Sequence, residues 1–185
     1  MPVTINGTSG VVTATTFSGS SLSGIDTGKI LQIVQTYKTD TFSASITNAQ
    51  ESGDITGLTA SITPSNSSNK ILVMFDVRTG NSASSRLGLK LYKAGSVLTA
   101  SLGDASGSST RTTGYGSTTQ YDRHWGISGK YLDTAGGTSS ITYSMRLRTG
   151  NVASNTVWVN RPGTLYDNSG GMVSASSIIL MEVAV

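Results

Sequence analysis

The chain has 185 residues, a mass of 19.1 kDa and a net charge of +3, which suits one domain large enough to bury a hydrophobic core. It has no cysteine and therefore forms neither disulfides nor thiolate metal sites, and its scattered arginines argue against a nucleic-acid groove. Its 30 Ser and 26 Thr, against only 2 Glu and 6 Lys, favour strands over helices. We therefore expect an all-β protein.

The sequence also bears on the compartment. The first residues lack the basic and apolar regions of a signal peptide. No stretch approaches the ~20 apolar residues of a membrane-spanning helix. We expect a soluble protein made in the cytoplasm, without membrane insertion.

The first 28 residues are predicted to form an extended arm. They contain one charged side chain, Asp26, among many Thr, Ser and Gly residues. Fully extended, this segment would reach ~90 Å at ~3.3 Å per residue, far beyond its own domain. We expect residues 1–28 to anchor the protein by adding a strand to a neighbouring subunit or another protein. The expected apolar anchors are Val11, Val12, Phe17, Leu22 and Ile25.

Short runs rich in β-branched and apolar residues follow the arm, separated by clusters of Gly, Ser, Asn and Pro. None of these runs keeps a 3.6-residue periodicity long enough for a helix. The pattern predicts one antiparallel jelly-roll β-sandwich over residues 29–185. The predicted strands span 29–37, 41–47, 54–64, 70–79, 86–93, 96–102, 124–132, 140–149, 156–160 and 177–185.

The predicted strands are of two kinds. "SITYSMRLRT" (140–149) alternates apolar and polar residues, which is typical of a strand with one face in water. By contrast, "KILQIV", "ILVMF" and "IILMEV" are apolar on both faces, although a two-layer sandwich covers only one face of each sheet. If the odd-numbered residues of 71–75 face the core, Leu72 and Met74 face outward and need a second partner. We expect a subunit interface at these two residues.

The 18-residue stretch 103–120 is the longest without a predicted strand, and loops of this length in compact domains are usually functional or disordered. Tyr115, Tyr121 and Trp125 lie in this stretch or just after it, and they could stack on a sugar ring. Aromatic residues beside a β-sandwich loop also serve in packing, and the sequence leaves both roles open.

Residues for catalysis or cofactor binding do not form a recognisable set. "GIDTGKI" (24–30) has one residue too few between its glycines for a phosphate-binding loop, and Ile30 follows the lysine. His124 is the only histidine, and no companion residues for a catalytic triad or a metal site accompany it. The aspartates lack the spacing of a calcium loop or of paired catalytic carboxylates. We expect no enzyme activity, no cofactor and no metal.

Three segments carry a resemblance to a known group of proteins. They are "INGTSGVVTATTFSGSSLSGIDTGKILQIVQT", "ITGLTASITPSNSSNKILVMFDV" and the closing "ASSIILMEVAV". Together they resemble small structural proteins of tailed bacteriophages of marine bacteria, which are capsid-decorating or tail-fibre-like. The globular part of those proteins resembles the trimeric C1q/TNF-like jelly roll.

The resemblance implies a non-enzymatic virion protein. It implies a homotrimer that decorates or cements the capsid, with the major capsid protein or another virion protein as its partner. An alternative is a tail-fibre or head-fibre protein that binds a receptor, such as a host surface glycan, through the 103–120 region.

Overall fold

The computed structural model describes residues 29–47, 50–82, 85–118, 120–150 and 154–185, with the backbone only at 117 and 118. The predicted arm at 1–28, with its five apolar anchors, lies outside these residues. Within them, no helix is long and apolar enough to cross a membrane. The elements are β1 (Ile30–Lys38), β2 (Phe42–Ile46), β3 (Ala60–Ile62), β4 (Lys70–Asn81), β5 (Ser85–Lys93), β6 (Ser96–Val97), the 3-10 helix η1 (Thr99–Ser101), β7 (Gly114–Thr118), β8 (Trp125–Thr134), β9 (Ile141–Thr149), β10 (Asn155–Val159) and β11 (Ser176–Val183).

The strands form two antiparallel sheets packed face to face. Sheet A has the order β1-β11-β4-β8, with β10 paired to the end of β4 and β2 paired to β10. Sheet B has the order β3-β9-β5-β7, with the short β6 also paired to β5. The chain crosses between the sheets so that the first main strand lies beside the last, which is the winding of a jelly roll. The predicted all-β class and antiparallel jelly-roll sandwich are confirmed.

The core lies between the two sheets and is filled by the inward-facing residues of both. In β4, every second residue from Ile71 to Val77 is buried, while the residues between them are half-buried. From the opposite sheet, Tyr143, Met145 and Leu147 of β9 are fully buried against them. This period of two leaves each sheet with one face in the core and one face outside.

Two predicted strands are shorter than the sequence pattern indicated. Of the run 54–64, only β3 pairs with a neighbour, because the chain turns at Gly57, which has a φ of +76°. Of the run 96–102, only β6 pairs, because the 3-10 helix η1 follows it directly. Both runs contain apolar residues that cover the core from a loop, and composition does not distinguish them from strands.

The prediction of an unbroken loop at 103–120 is wrong in its last third, since β7 lies there and pairs with β5. Its sequence, Gly-Tyr-Gly-Ser-Thr, has little of the residue content that marks a strand. Its glycines are needed for packing: a Cβ at Gly116 would collide with the indole ring of Trp125. Tertiary contact with β8 therefore places a strand where local propensity is weak.

Candidate functional site

The outer face of sheet A carries a row of apolar side chains that crosses all four of its main strands. Strand pairing places Met181 of β11 between Ile33 of β1 and Leu72 of β4. Leu72 in turn lies opposite Leu132 of β8. Paired residues on one face of a sheet have Cβ atoms about 4.5–5.5 Å apart, so these four residues form a continuous surface. We call them the apolar row.

Alternation along the strands turns the apolar row outward. On either side of Leu72 in β4, Ile71 and Val73 are fully buried in the core, whereas Leu72 itself is only half-buried. At the two ends of the row, 59% of Ile33 and 52% of Leu132 is exposed. Large apolar side chains gathered in one exposed patch mark an interaction surface.

A second row, of mixed character, runs beside the apolar row. A shallow depression of about 330 Å³ opens there, and its lining includes Met74, Ile179 and Lys130. Ser128 and Ser177 also line it, and their small side chains leave room between the larger ones. The depression gives this face a shape into which a partner side chain could fit. In order across the sheet, the second row consists of Gln35, Ile179, Met74 and Lys130.

Farther along the strands the outer face of sheet A becomes polar. Asp76 and Arg78 of β4 form an ion pair with an N–O distance of 2.8 Å, and both side chains are about two-fifths exposed. Tyr37 of β1, opposite Ser177, is 64% exposed. The apolar area therefore has a polar border on this side, as the rims of protein interfaces do.

A buried carboxylate fixes the edge strand that carries Ile33. One oxygen of Glu182 accepts a hydrogen bond from Gln32 Nε2 at 2.6 Å, and the other accepts bonds from Ser65 N and Oγ and from Asn69 Nδ2. Burial raises the pKa of Glu182, but these hydrogen bonds outweigh it and lower the pKa to about 2. Because Gln32 points inward to Glu182, the next residue, Ile33, faces outward.

The outer face of sheet B has a different character, since its charged groups pair with one another. Glu51 accepts a hydrogen bond from Lys90 Nζ at 2.6 Å and another from the Tyr92 hydroxyl. Burial raises the pKa of Glu51, but these two hydrogen bonds lower it below its usual value. Arg146 covers the ring of Tyr92 at 4.0 Å from its centre and pairs with Asp54 at 2.6 Å. The charged groups Glu51, Lys90, Asp54 and Arg146 on this face are therefore paired within the chain itself.

The residues predicted to bind partners lie in two separate places. Leu72 and Met74 face outward in the apolar row and the second row, and an interface there stays a prediction. Tyr115 on β7 and Tyr121 after it are 59% and 46% exposed. Trp125, at the start of β8, is half-buried and packs against the core, which gives it a packing role.

Three other residues of the apolar row were not singled out by sequence reasoning. Ile33 and Met181 belong to runs that are apolar on both faces, so the run was recognised but its outward members were not. Leu132 gave a weaker signal, because it is the single outward apolar residue of the half-polar segment "SGKYLDT". Only the register between β4 and β8 shows that Leu132 extends the row.

The lone histidine stands apart from this surface. His124 lies just before β8 and is half-buried, and burial and then the positive charge of Arg78 lower its pKa. Within the described ranges, no three His, Cys, Asp or Glu side chains are grouped so that they could hold a metal ion.

No protein-family model matches the chain, and no curated protein matches it. Among solved structures, the chain is similar to a chain in the structure of infectious bursal disease virus, Gt strain. The match covers 83% of this chain and 38% of that chain, with 13% sequence identity and a TM-score of 0.43. This chain therefore spans less than half the length of the viral chain. The fold assignment rests on the strand order of the protein itself.

Proposed function

We propose that the protein is a non-enzymatic structural subunit of a virion that assembles with copies of itself through the outer face of sheet A. The observation that carries this proposal is the apolar row, which is exposed at both ends on a sheet face that the described part of the chain leaves uncovered. An exposed apolar surface of this kind promotes aggregation of an isolated subunit, whereas in an assembly it is buried against a partner.

Burial of the apolar row would supply the free energy of association. Apolar surface removed from water contributes about 25 cal/mol per Å². The four side chains of the row lie side by side, so a partner can bury them together, while Asp76 and Arg78 stay at the polar border. The proposed number of three subunits comes from the resemblance to the C1q/TNF-like jelly roll.

The proposed place of the protein is the surface of the capsid, as a decoration or cement protein. This follows from the resemblance to tailed-phage virion proteins and from the character of the arm at 1–28. The sequence has neither heptads nor a repeat of shaft length, and a projecting fibre needs one of these. A compact domain with a nearly uncharged arm suits a subunit that lies on a shell and binds its neighbours.

A fibre protein that binds a host receptor is the second candidate. The exposure of Tyr115 and Tyr121 favours it, since exposed aromatic rings are common in binding sites. Gel densitometry of purified particles separates the two candidates. A decoration protein would be present in a copy number comparable to that of the major capsid protein, whereas a fibre would be present in far fewer copies.

The assembly surface is tested by light scattering on purified protein. Leu72→Asp or Met74→Asp would bury an unpaired charge at the interface, so each variant should be a monomer or insoluble. Thr142→Asp adds the same charge to the exposed outer face of sheet B and serves as the control. If Leu72→Asp and Met74→Asp keep the oligomer mass of the wild type, the interface lies elsewhere.

A further inference from the structure

A cleft opens at one end of the sandwich, between the β7–β8 connection and the β10–β11 connection. Its volume is about 230 Å³, and its lining comes from residues 122–124 and from residues between 162 and 172. The two segments are joined directly, since the Thr164 N–H donates a hydrogen bond to the carbonyl of Tyr121 at 2.7 Å. The lining side chains that a ligand would contact are those of Asp122, Arg123, His124, Thr164, Tyr166 and Met172.

The β10–β11 connection is held in place by the contacts of its own chain. Arg161 Nε donates to the carbonyl of Pro162 at 3.0 Å, and its guanidinium lies 5.4 Å from the centre of the Trp158 ring. A Cβ at Gly163 would collide with the carbonyl oxygen of Asn81, so glycine lets the loop approach the end of β4.

The far side of the cleft is closed by a turn around Asn168. Its side-chain oxygen accepts a hydrogen bond from Gly170 N at 2.8 Å, and its carbonyl accepts one from Gly171 N at 2.9 Å. The connection thus has no strand or helix of its own and is still fixed on both sides. A ligand would therefore find the cleft already formed, which reduces the entropy lost on binding.

The lining combines a small apolar surface with polar groups that carry no net charge. Tyr166 and Met172 are 51% and 68% exposed and present a ring and a thioether chain. The charges of Asp122 and Arg123 offset each other. Burial and the positive charge of Arg78 lower the pKa of His124, which favours the neutral imidazole with one donor and one acceptor nitrogen. An anionic or cationic ligand would gain no net attraction here.

We propose that this cleft binds one uncharged sugar unit of a glycan. The hydroxyl groups of a sugar both donate and accept hydrogen bonds, which matches an acceptor at Asp122, donors at Arg123 and both kinds at Thr164. The C–H face of the ring would pack on Tyr166. The volume lies below the ~300–1,000 Å³ of pockets for drug-sized ligands, so a single ring is the suitable size.

This site goes beyond the proposed assembly role and does not depend on it. Trp125, next to His124, pairs with Thr79 of β4, seven residues from Leu72. At about 3.3 Å per residue, the cleft region lies ~23 Å along the strand from the apolar row. An assembled particle could therefore bury the apolar row and leave the cleft open to solvent.

Saturation-transfer NMR on the full chain tests the proposal. The neutral probes are the methyl glycosides of glucose, galactose, mannose and N-acetylglucosamine, and the charged probes are N-acetylneuraminic acid and glucosamine. We expect at least one neutral glycoside to bind. Tyr166→Ala and Asp122→Asn should each weaken its binding about tenfold, which corresponds to the loss of one good contact.

Two matched variants serve as controls, and both residues are exposed outside the cleft. Tyr115→Ala removes an aromatic ring from β7, and Asp104→Asn removes a charge from the preceding loop. Both should bind the glycoside as the wild type does. The proposal is overturned if no neutral glycoside binds, if a charged probe binds in preference, or if Tyr166→Ala and Asp122→Asn leave the affinity unchanged. Loss of binding in Tyr115→Ala alone would overturn it as well, since the site would then lie on β7.

Discussion

Met181 and Leu72 lie directly opposite each other on the adjacent strands β11 and β4, and both side chains point away from the core. They form the centre of the apolar row, whose ends are Ile33 and Leu132. Their inward neighbours in sequence are fully buried. One strand pair thus supplies the core with one set of residues and the candidate assembly surface with the other.

This division predicts that stability of the subunit and its assembly respond to different substitutions. In the background of Leu72→Asp, where we expect a monomer, Leu180→Ala should lower the free energy of unfolding by about 2–5 kcal/mol because Leu180 is fully buried. Ile33→Ser should change it by less than about 0.5 kcal/mol because Ile33 is mostly exposed. Urea unfolding measures both values.

In the wild-type background, assembly should depend more strongly on Ile33 than on Leu180. Ile33→Ser removes apolar surface from the end of the apolar row and should raise the concentration at which the oligomer dissociates. Light scattering over a dilution series measures this. If Ile33→Ser destabilises the monomer as strongly as Leu180→Ala does, Ile33 contributes to the fold and the apolar row is not an assembly surface.

The sequence was sufficient to predict the sandwich and the outward position of Leu72 and Met74, because period-two alternation fixes both at once. It was insufficient for β7, whose glycines pack against Trp125 and carry no strand propensity of their own. The sequence was also insufficient to predict the cleft. A backbone hydrogen bond joins residues 121 and 164, and no local sequence pattern indicates that these two segments meet. The sequence did indicate a buried carboxylate at Glu182. Glu182 lies two residues after Leu180 in the same strand, so both side chains face the core.

Glu182 should make stability depend on pH in the acid range. Its pKa in the folded state, about 2, lies below the ordinary value of 4.5, so the folded protein holds the charged form more strongly than the unfolded chain does. The stabilisation is present in full above pH ~4.5 and is lost as the pH falls toward 2. Glu182→Gln turns an acceptor into a donor facing Ser65 and Asn69, which should cost about 1–3 kcal/mol at pH 7.

Urea unfolding at pH 7 and at pH 3 measures this dependence. The difference in unfolding free energy between the wild type and Glu182→Gln should shrink at the lower pH, because the wild-type carboxylate loses its advantage there. A difference that stays constant between the two pH values would show that the charge of Glu182 is not what the hydrogen bonds stabilise.

Asn160 joins the end of β10 to the corner between β1 and β2. Its side-chain nitrogen donates to the carbonyls of Lys38 and Asp40 at 2.9 and 2.8 Å, and its side-chain oxygen accepts from Ser176 Oγ at 2.6 Å. The residue has a φ of +70°, which glycine tolerates. Asn160→Gly therefore removes the hydrogen bonds without backbone strain.

We expect Asn160→Gly and Asn160→Asp each to lower the free energy of unfolding by about 1–3 kcal/mol, since both leave the buried carbonyl of Lys38 without its donor. Thermal unfolding measures the loss. Asn66→Gly, at an exposed turn, is the matched control and should have a smaller effect. Equal effects at positions 66 and 160 would mean that the entropy of glycine in the unfolded chain, and not the buried hydrogen bonds, accounts for the result.

Whether residues 1–28 anchor the protein to the capsid distinguishes a shell subunit from a fibre protein. Among the residues that the structure describes, the buried core runs from Ile46 to Leu180, and deletion of residues 1–24 leaves all of these residues in place. The truncated protein should stay soluble, folded and oligomeric, with a melting temperature close to that of the full chain. The same truncation should abolish binding to bare capsids in a co-sedimentation assay, because strand addition by the arm is the proposed anchor. Replacement of Val11, Val12 and Phe17 by serine in the full-length chain is the companion variant, and it should reproduce the loss without shortening the protein. If the truncated protein binds bare capsids with the affinity of the full chain, the arm is not the anchor, and the fibre becomes the better interpretation.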